Sequence, residues 1–201
     1  MVKKYKPNEI NKLVEILKND GVIAVPTDTV YGLCARMDSL KVRKKLEKIK
    51  ERLPNKSFPV MCSNIEQIKN IAMVTKKTEK IINAFMPGPI TLVLKKSENV
   101  PNYINEGSTE IGIRMATTKE LKEIIELMGI PVLMTSANKS GEETCKSIEE
   151  IERVFPTIDG VLVDDLPKGK ASTIIDCTSE DIRIIREGPI SLDQVKEALN
   201  S

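Results

Sequence analysis

The sequence contains no histidine and no tryptophan, and aromatic residues make up only 3% of its 201 positions. Without histidine there is no ordinary near-neutral general base, no Ser-His or Cys-His nucleophile pair and no His-ligated catalytic metal. An enzyme of this composition works largely by positioning and electrostatics. The scarcity of aromatics argues against a platform for stacking single-stranded bases. Charge of one sign is also lacking: Lys+Arg 31 against Asp+Glu 29 leaves a formal +2, so any role at RNA has to come from a local basic patch. The four cysteines, Cys34, Cys62, Cys145 and Cys177, are widely separated with no C-x-x-C pair, which sets aside structural zinc. Cys34 and Cys62 read as small packing residues. No apolar run approaches the ~18 residues that span a bilayer, and the lysine-rich start has no apolar core behind it. A cytoplasmic protein with reduced thiols and no membrane contact is the expectation. Gly-x-x-x-x-Gly-Lys-Ser/Thr is missing, and Gly107 with Gly112 forms no dinucleotide loop, so a nucleotide would have to be held by side chains.

What is present is a repeated pattern of apolar strands opening into small polar or cationic residues. Val22-Ile23-Ala24-Val25 is a strand of the doubly covered kind, and it empties into Pro26-Thr27-Asp28-Thr29 and Tyr31-Gly32. The pattern recurs at Ile111 to Arg114, at Pro131 to Met134 running into Ser136-Ala137-Asn138, at Ala171-Ser172-Thr173 before Ile174, and at Ile182 to Arg186. Further strands are expected at Phe58 to Met61 and Ile90 to Leu94. Helical spacing is read after a cap at Asn8, after Ser39 (with Val42, Leu46, Ile49 and Leu53 as its stripe), and after Ser63. It is read again over Thr78 to Phe85, Lys119 to Met128, Ser147 to Val154, and after Ser191. Strands that both alternate with helices and follow one another predict an α/β fold, one mixed sheet flanked by helices, in a single domain over residues 1–201. Lys168-Gly169-Lys170 reads as a mobile loop within it.

Several polar groups admit two readings. Lys50, Arg52 and Lys56 match the dipole of a helix C-terminus, yet the stop at Leu53-Pro54-Asn55 also lets them converge as phosphate ligands. Arg114 and Arg186 each end an apolar strand, where a long cation either snorkels to solvent or meets an anion. Ser136-Ala137-Asn138 reads equally as a helix cap or as a phosphate or ribose contact.

Taken in order, Pro26-Thr27-Asp28-Thr29-Val30-Tyr31-Gly32-Leu33, Lys50-x-Arg52 with Lys56, Pro87-Gly88-Pro89-Ile90-Thr91-Leu92, Ile113-Arg114, Ser136-Ala137-Asn138-x-x-Gly141, Ser172-Thr173 and Arg186-x-Gly188 resemble the threonylcarbamoyl-AMP synthases, the YrdC-type family. The resemblance covers about Gly21 to Ile190. It implies a twisted YrdC-like sheet around a concave, positively charged cavity. It further implies formation of threonylcarbamoyl-AMP and pyrophosphate from ATP, L-threonine and bicarbonate or CO2, with Mg2+ on the triphosphate. By position, Thr27, Thr29, Arg114, Ser136 and Ser172 fall on the threonine side. Lys50, Arg52, Lys56, Asn138 and Arg186 fall on the ATP side, with Lys50 and Arg52 as the catalytic pair. A downstream tRNA threonylcarbamoyltransferase complex and weak tRNA binding are implied as partners.

The sequence departs from that pattern in three places. Met115-Ala116-Thr117 replaces the usual Val-Pro after Arg114, Met61-Cys62-Ser63 stands where many members have a histidine, and the polar residue beyond Ser-Ala-Asn falls near Thr144 to Ser147. Longer members carry a further C-terminal domain, for which no counterpart is expected after the last helix. Two other classes compete: an RNA-binding or ribosome-associated module using the same cationic cavity, and a carbamoyl-transfer domain of the hydrogenase-maturation type, which normally sits in a much longer chain.

Overall fold

Strands buried on both faces organise this chain. In the computed structural model, which describes residues 2–52, 56–105, 107–164 and 169–200, Val22 and Ala24 join one apolar cluster while Ile23 and Val25 join another. Successive strand side chains point to opposite faces, so a strand apolar at every position must be covered on both.

The strands are β1 (Lys4–Tyr5), β2 (Ile23–Pro26), β3 (Tyr31–Arg36), β4 (Val60–Cys62), β5 (Ile90–Lys95), β6 (Glu110–Met115), β7 (Val132–Ser136), β8 (Gly160–Leu162), β9 (Thr173–Asp176) and β10 (Arg183–Arg186). Among the described residues they form one ten-stranded sheet in the order β1-β8-β2-β3-β7-β4-β6-β5-β9-β10. It is mixed: β1/β8, β2/β8, β4/β6 and β5/β9 run parallel, and the other neighbours antiparallel. The helices are α1 (Ile10–Lys18), α2 (Leu40–Lys50), α3 (Ile65–Ile71), α4 (Lys76–Phe85), α5 (Lys119–Met128), α6 (Ile148–Val154) and α7 (Leu192–Asn200).

Helix coverage of the two faces is unequal, and this creates the cleft. Residues from α2, α3, α4, α6 and α7 (Val42, Ile68, Ile81, Ile151, Val195) enter the first cluster. The second cluster draws on α1 and α5, through Leu13, Leu17, Leu121 and Ile125, packed with Ile23, Val25, Cys34 and Val132. On that side the alternation of β5, β6 and β9 turns Thr91, Arg114 and Ile174 toward open space, while Leu92, Ile113 and Ile175 enter the first cluster.

Most elements lie where the apolar spacing puts them, with local corrections. Ser39, Thr118 and Ser147 cap α2, α5 and α6 by accepting from Val42, Leu121 and Glu150 N–H groups. Asn8 is not a cap; a 3-10 turn over Pro7–Glu9 precedes α1, and Glu9 accepts the Lys6 N–H at 3.0 Å. Ser63 gives way to Asn64, whose Oδ1 accepts from Gln67 N, while the Ser63 Oγ accepts from Asn64 Nδ2. Helix α2 stops at Lys50, where Glu51 turns left-handed at φ 53° and its N–H returns to the Lys48 carbonyl. The expected stripe position Leu53, the stop at Leu53-Pro54-Asn55 and Lys168 lie outside the described residues. The short strands β1 and β8 were not expected, nor was β3, which takes Tyr31 and Gly32 out of the turn and into a hairpin with β2. All four cysteines are free; burial pushes the Cys62 thiol up to about 12 and Cys34 further, in keeping with inert packing residues. No helix among the described residues is long and apolar enough to cross a membrane.

Candidate active site

The cleft has a volume of about 460 Å3. Its floor is the sheet face carrying Met61, Thr91, Arg114 and Ile174, and its rim carries Thr27, Thr29, Arg52, Ser136, Ser172 and Arg186. Three arginines line it, and among the described residues no carboxylate does.

The turn between β2 and β3 is built by its own hydroxyls. Thr27 Oγ1 donates to the Val30 carbonyl at 2.6 Å and lies 3.2 Å from the Thr29 and Val30 N–H groups, with Thr29 Oγ1 at 3.0 Å. A threonine here therefore does the work of a backbone turn. Tyr31 anchors the hairpin from behind, its hydroxyl 3.0 Å from the Leu162 carbonyl.

Arg114, at the C-terminal part of β6, is buried. Its Nη2 donates to Asp28 Oδ1 at 2.8 Å and reaches the Gly88 carbonyl at 3.3 Å, its Nη1 lies 3.5 Å from Thr29 Oγ1, and its buried Nε has no hydrogen-bond partner among the described residues. At the other wall Arg186 donates through Nε and Nη2 to the Ser172 carbonyl at 3.1 and 2.8 Å, and Ser172 Oγ lies 2.9 Å from Thr91 Oγ1. Burial, and then the charge of Arg114, lower the pKa of Arg186. Arg52 is held on the segment after α2, with Nε to Lys56 O at 3.0 Å, Nη2 to Ser57 O at 2.5 Å and its guanidinium 4.7 Å from the Phe58 ring centroid.

Of the residues singled out from sequence, the cleft brings together Thr27, Thr29, Arg52, Arg114, Ser136, Ser172 and Arg186. It leaves Lys50, Lys56 and Asn138 off its lining. Lys50 is only 2% exposed, and its Nζ donates to Ser136 O (2.6 Å), Asn138 O (2.8 Å) and Asn138 Oδ1 (2.8 Å). Burial and the neighbouring charge of Arg52 push its pKa down to about 7. Asn138 is spent similarly: Oδ1 also accepts from Ser136 Oγ at 2.5 Å, and Nδ2 donates to the Lys139 and Glu142 carbonyls. Lys56 is exposed, with its carbonyl on Arg52.

The lining also contains residues to which sequence reasoning gave no role, among them Thr91, Thr135, Ala171 and Ile174. Strand alternation could have found Thr91 and Ile174, since each is flanked by a core residue of the opposite face. In the two stretches that departed from the family pattern, Met61 and Thr144 line the cleft, whereas Ser147 caps α6.

The Arg186-x-Gly188 segment sits tightly on the start of β9. A Cβ on Gly188 would come 2.3 Å from the Thr173 nitrogen and 2.7 Å from the Ala171 carbonyl oxygen, so only glycine fits. Gly188→Ala is expected to destabilise the fold by about 1–3 kcal/mol through overpacking. Gly112→Ala, whose Cβ would meet Thr91 Cγ2 at an ordinary 3.7 Å, should cost less. Urea midpoints of the two variants test the difference; equal losses would refute it.

The Sua5/YciO/YrdC family model, described as telomere recombination, matches residues 15–188. A putative threonylcarbamoyl-AMP synthase of Methanocaldococcus jannaschii is 33% identical over 97% of this chain and 96% of its own length. The uncharacterized protein YciO of Escherichia coli K12 is 28% identical over 89% of this chain and 88% of its own. Among solved structures, Pyrococcus abyssi Sua5 complexed with L-threonine is 26% identical and superposes with a TM-score of 0.90 over 98% of this chain, which spans 60% of that one. With a matching family model over most of its length and the same fold in a solved relative, this chain belongs to the Sua5/YciO/YrdC family.

Proposed function

We propose that this protein is an L-threonylcarbamoyladenylate synthase acting in tRNA modification. The observation that carries the reading is a cleft lined by three arginines and, among the described residues, no carboxylate, in a chain with no histidine. Such a site suits two anionic substrates and a reaction that needs no protein nucleophile. The threonine amine attacks CO2 and loses a proton to give a carbamate. A carbamate oxygen then attacks the α-phosphorus of ATP, and the bond to pyrophosphate breaks. With bicarbonate as the carbon source the products are threonylcarbamoyl-AMP, pyrophosphate and water.

In this scheme Arg114 takes the threonine carboxylate, and Thr27, Thr29, Ser136 and Ser172 line the amino-acid side. Arg52 and Arg186, with Lys56 and Asn138 near the cleft, serve the nucleotide. Lys50 acts through the Ser136 to Asn138 loop that it holds. Fixed guanidinium donors stabilise the charge that develops at the α-phosphate and hold the two anions together. In this reading magnesium needs no protein site of its own, since it is commonly held through substrate phosphates and waters. It would arrive on the triphosphate as part of the substrate. Delivery of the product to a tRNA threonylcarbamoyltransferase complex in the cytoplasm, with weak tRNA binding, belongs to the same reading.

The test is pyrophosphate release from ATP and bicarbonate with and without L-threonine, with the adenylate product identified by mass. Release that requires threonine supports the synthase. No release under any condition, with RNA retained by the protein in a salt-dependent way, would sink it in favour of an RNA-binding module.

A further inference from the structure

Of the three cleft arginines, only Arg114 has a carboxylate partner among the described residues, and that partner is Asp28 at the tip of the β2–β3 turn. Asp28 Oδ1 accepts from Arg114 Nη2 at 2.8 Å and from Thr117 Oγ1 at 3.0 Å, and the Asp28 N–H lies 3.3 Å from the same Thr117 oxygen. On the backbone side Gly169 packs so closely that a Cβ there would come 2.4 Å from the Asp28 carbonyl oxygen. The carboxylate is thus fixed by Thr117 and by the packing of its own turn.

Electrostatics make this contact more than a local hydrogen bond. Arg114 is 9% exposed, and a guanidinium at that depth needs a counter-charge. Its charge also bears on Arg186 across the cleft. Asp28 offsets that repulsion without lining the cleft, so the space before the arginines stays open to an anion. The same turn brings Thr29 Oγ1 to 3.5 Å from Arg114 Nη1. Asp28 and Gly88 take up Nη2, and Thr29 lies on one side of Nη1, so the rest of the Nη1 edge is what the guanidinium keeps for a ligand.

We propose that Asp28 is the positioning residue for Arg114: its carboxylate, held by Thr117, orients the guanidinium so that its remaining donors meet the carboxylate of an α-amino acid. The proposal rests on the synthase reading above. It assigns Asp28 to the amino-acid half of the reaction and not to the nucleotide half, which Arg52 and Arg186 approach from other elements.

The experiment is steady-state pyrophosphate release by the full chain, with KM for L-threonine and KM for ATP determined separately in the wild type, Asp28→Asn and Thr117→Val. Asp28→Asn keeps the shape and an acceptor but removes the charge, and is expected to raise the threonine KM about 10-fold to 100-fold while the ATP KM stays within about two-fold. Thr117→Val keeps the ion pair and removes one anchor, so a rise of about three-fold in the threonine KM alone is expected. A purely structural role would move both KM values together; that outcome, or a threonine KM unchanged or lowered, overturns the proposal. If Asp28→Asn does not fold, Thr117→Val decides by the same criterion. A wild type with no threonine-dependent release brings down the synthase reading and this proposal together. An active wild type with unaffected variants brings down this proposal alone.

Discussion

Arg52→Ala is expected to lower threonine-dependent pyrophosphate release by about 10²-fold to 10³-fold, the loss typical of removing one preorganised donor from a developing charge. Arg52 lines the cleft, and its backbone anchors at Lys56 and Ser57 with the Phe58 ring behind it hold the guanidinium in one place. The stability cost should be small, about 0.5–1 kcal/mol for the stacked contact, so activity and folding separate cleanly. Arg52→Lys keeps the charge but not the planar fork and should recover only part of the rate. Rates for the three proteins at matched folded concentration give the answer. A full-rate Arg52→Ala would remove this residue from the nucleotide site.

Lys50→Met is the substitution expected to cost most stability. The ammonium donates to Ser136 O, Asn138 O and Asn138 Oδ1, and a thioether of similar length leaves those oxygens without that donor. A loss of about 3 kcal/mol is expected, which for a chain of this size lowers the melting temperature by about 6–12 °C. The Ser136 to Asn138 loop should lose its hold on α2, so activity falls as well.

The same lysine makes a pH signature. Its folded pKa is pushed down to about 7, by burial first and Arg52 second, while in the unfolded chain lysine stays charged to about 10.4. Above pH 7 the unfolded state therefore binds more protons, and stability from this group rises with pH. Buried thiols act in the opposite sense: Cys62 and Cys177 are pushed up to about 12, so the unfolded thiols ionise first and stability falls above about pH 8.5. The window is thus about pH 7 to 8.5. Denaturation midpoints should climb across it in the wild type and stay flat in Lys50→Met; parallel curves would contradict the assignment.

Much of the local structure was legible because its causes are local. Helix α5 occupies Lys119–Met128 as its spacing predicts, with the Thr118 hydroxyl at one end and Gly129 left-handed at the other. Caps failed where a neighbour competed, as at Ser63, whose hydroxyl is taken by the Asn64 side chain that caps in its place. Strands β1 and β8 have two and three residues, too few to show a period, and exist because each pairs with a distant strand. β3 was hidden by the Thr-Asp-Thr turn before it, and its other partner, β7, lies about a hundred residues away.

Read alone, the sequence shows the continuous apolar run that buries β2 on both faces, most helix bounds and the need for a mechanism without histidine. It brought forward Thr29, Arg52, Arg114, Ser136, Ser172 and Arg186, all of which meet in one cleft. Only the tertiary structure decided what each polar group does there. Lys50 and Arg52 are two residues apart on one basic segment, yet one is consumed by the Ser136 to Asn138 loop and the other lines the cleft. Asp28 and Arg114 meet only because the β2–β3 turn and β6 approach across the sheet. A side chain's partner is set by strand order and by how far helices cover each face, and both depend on contacts between residues far apart in the chain.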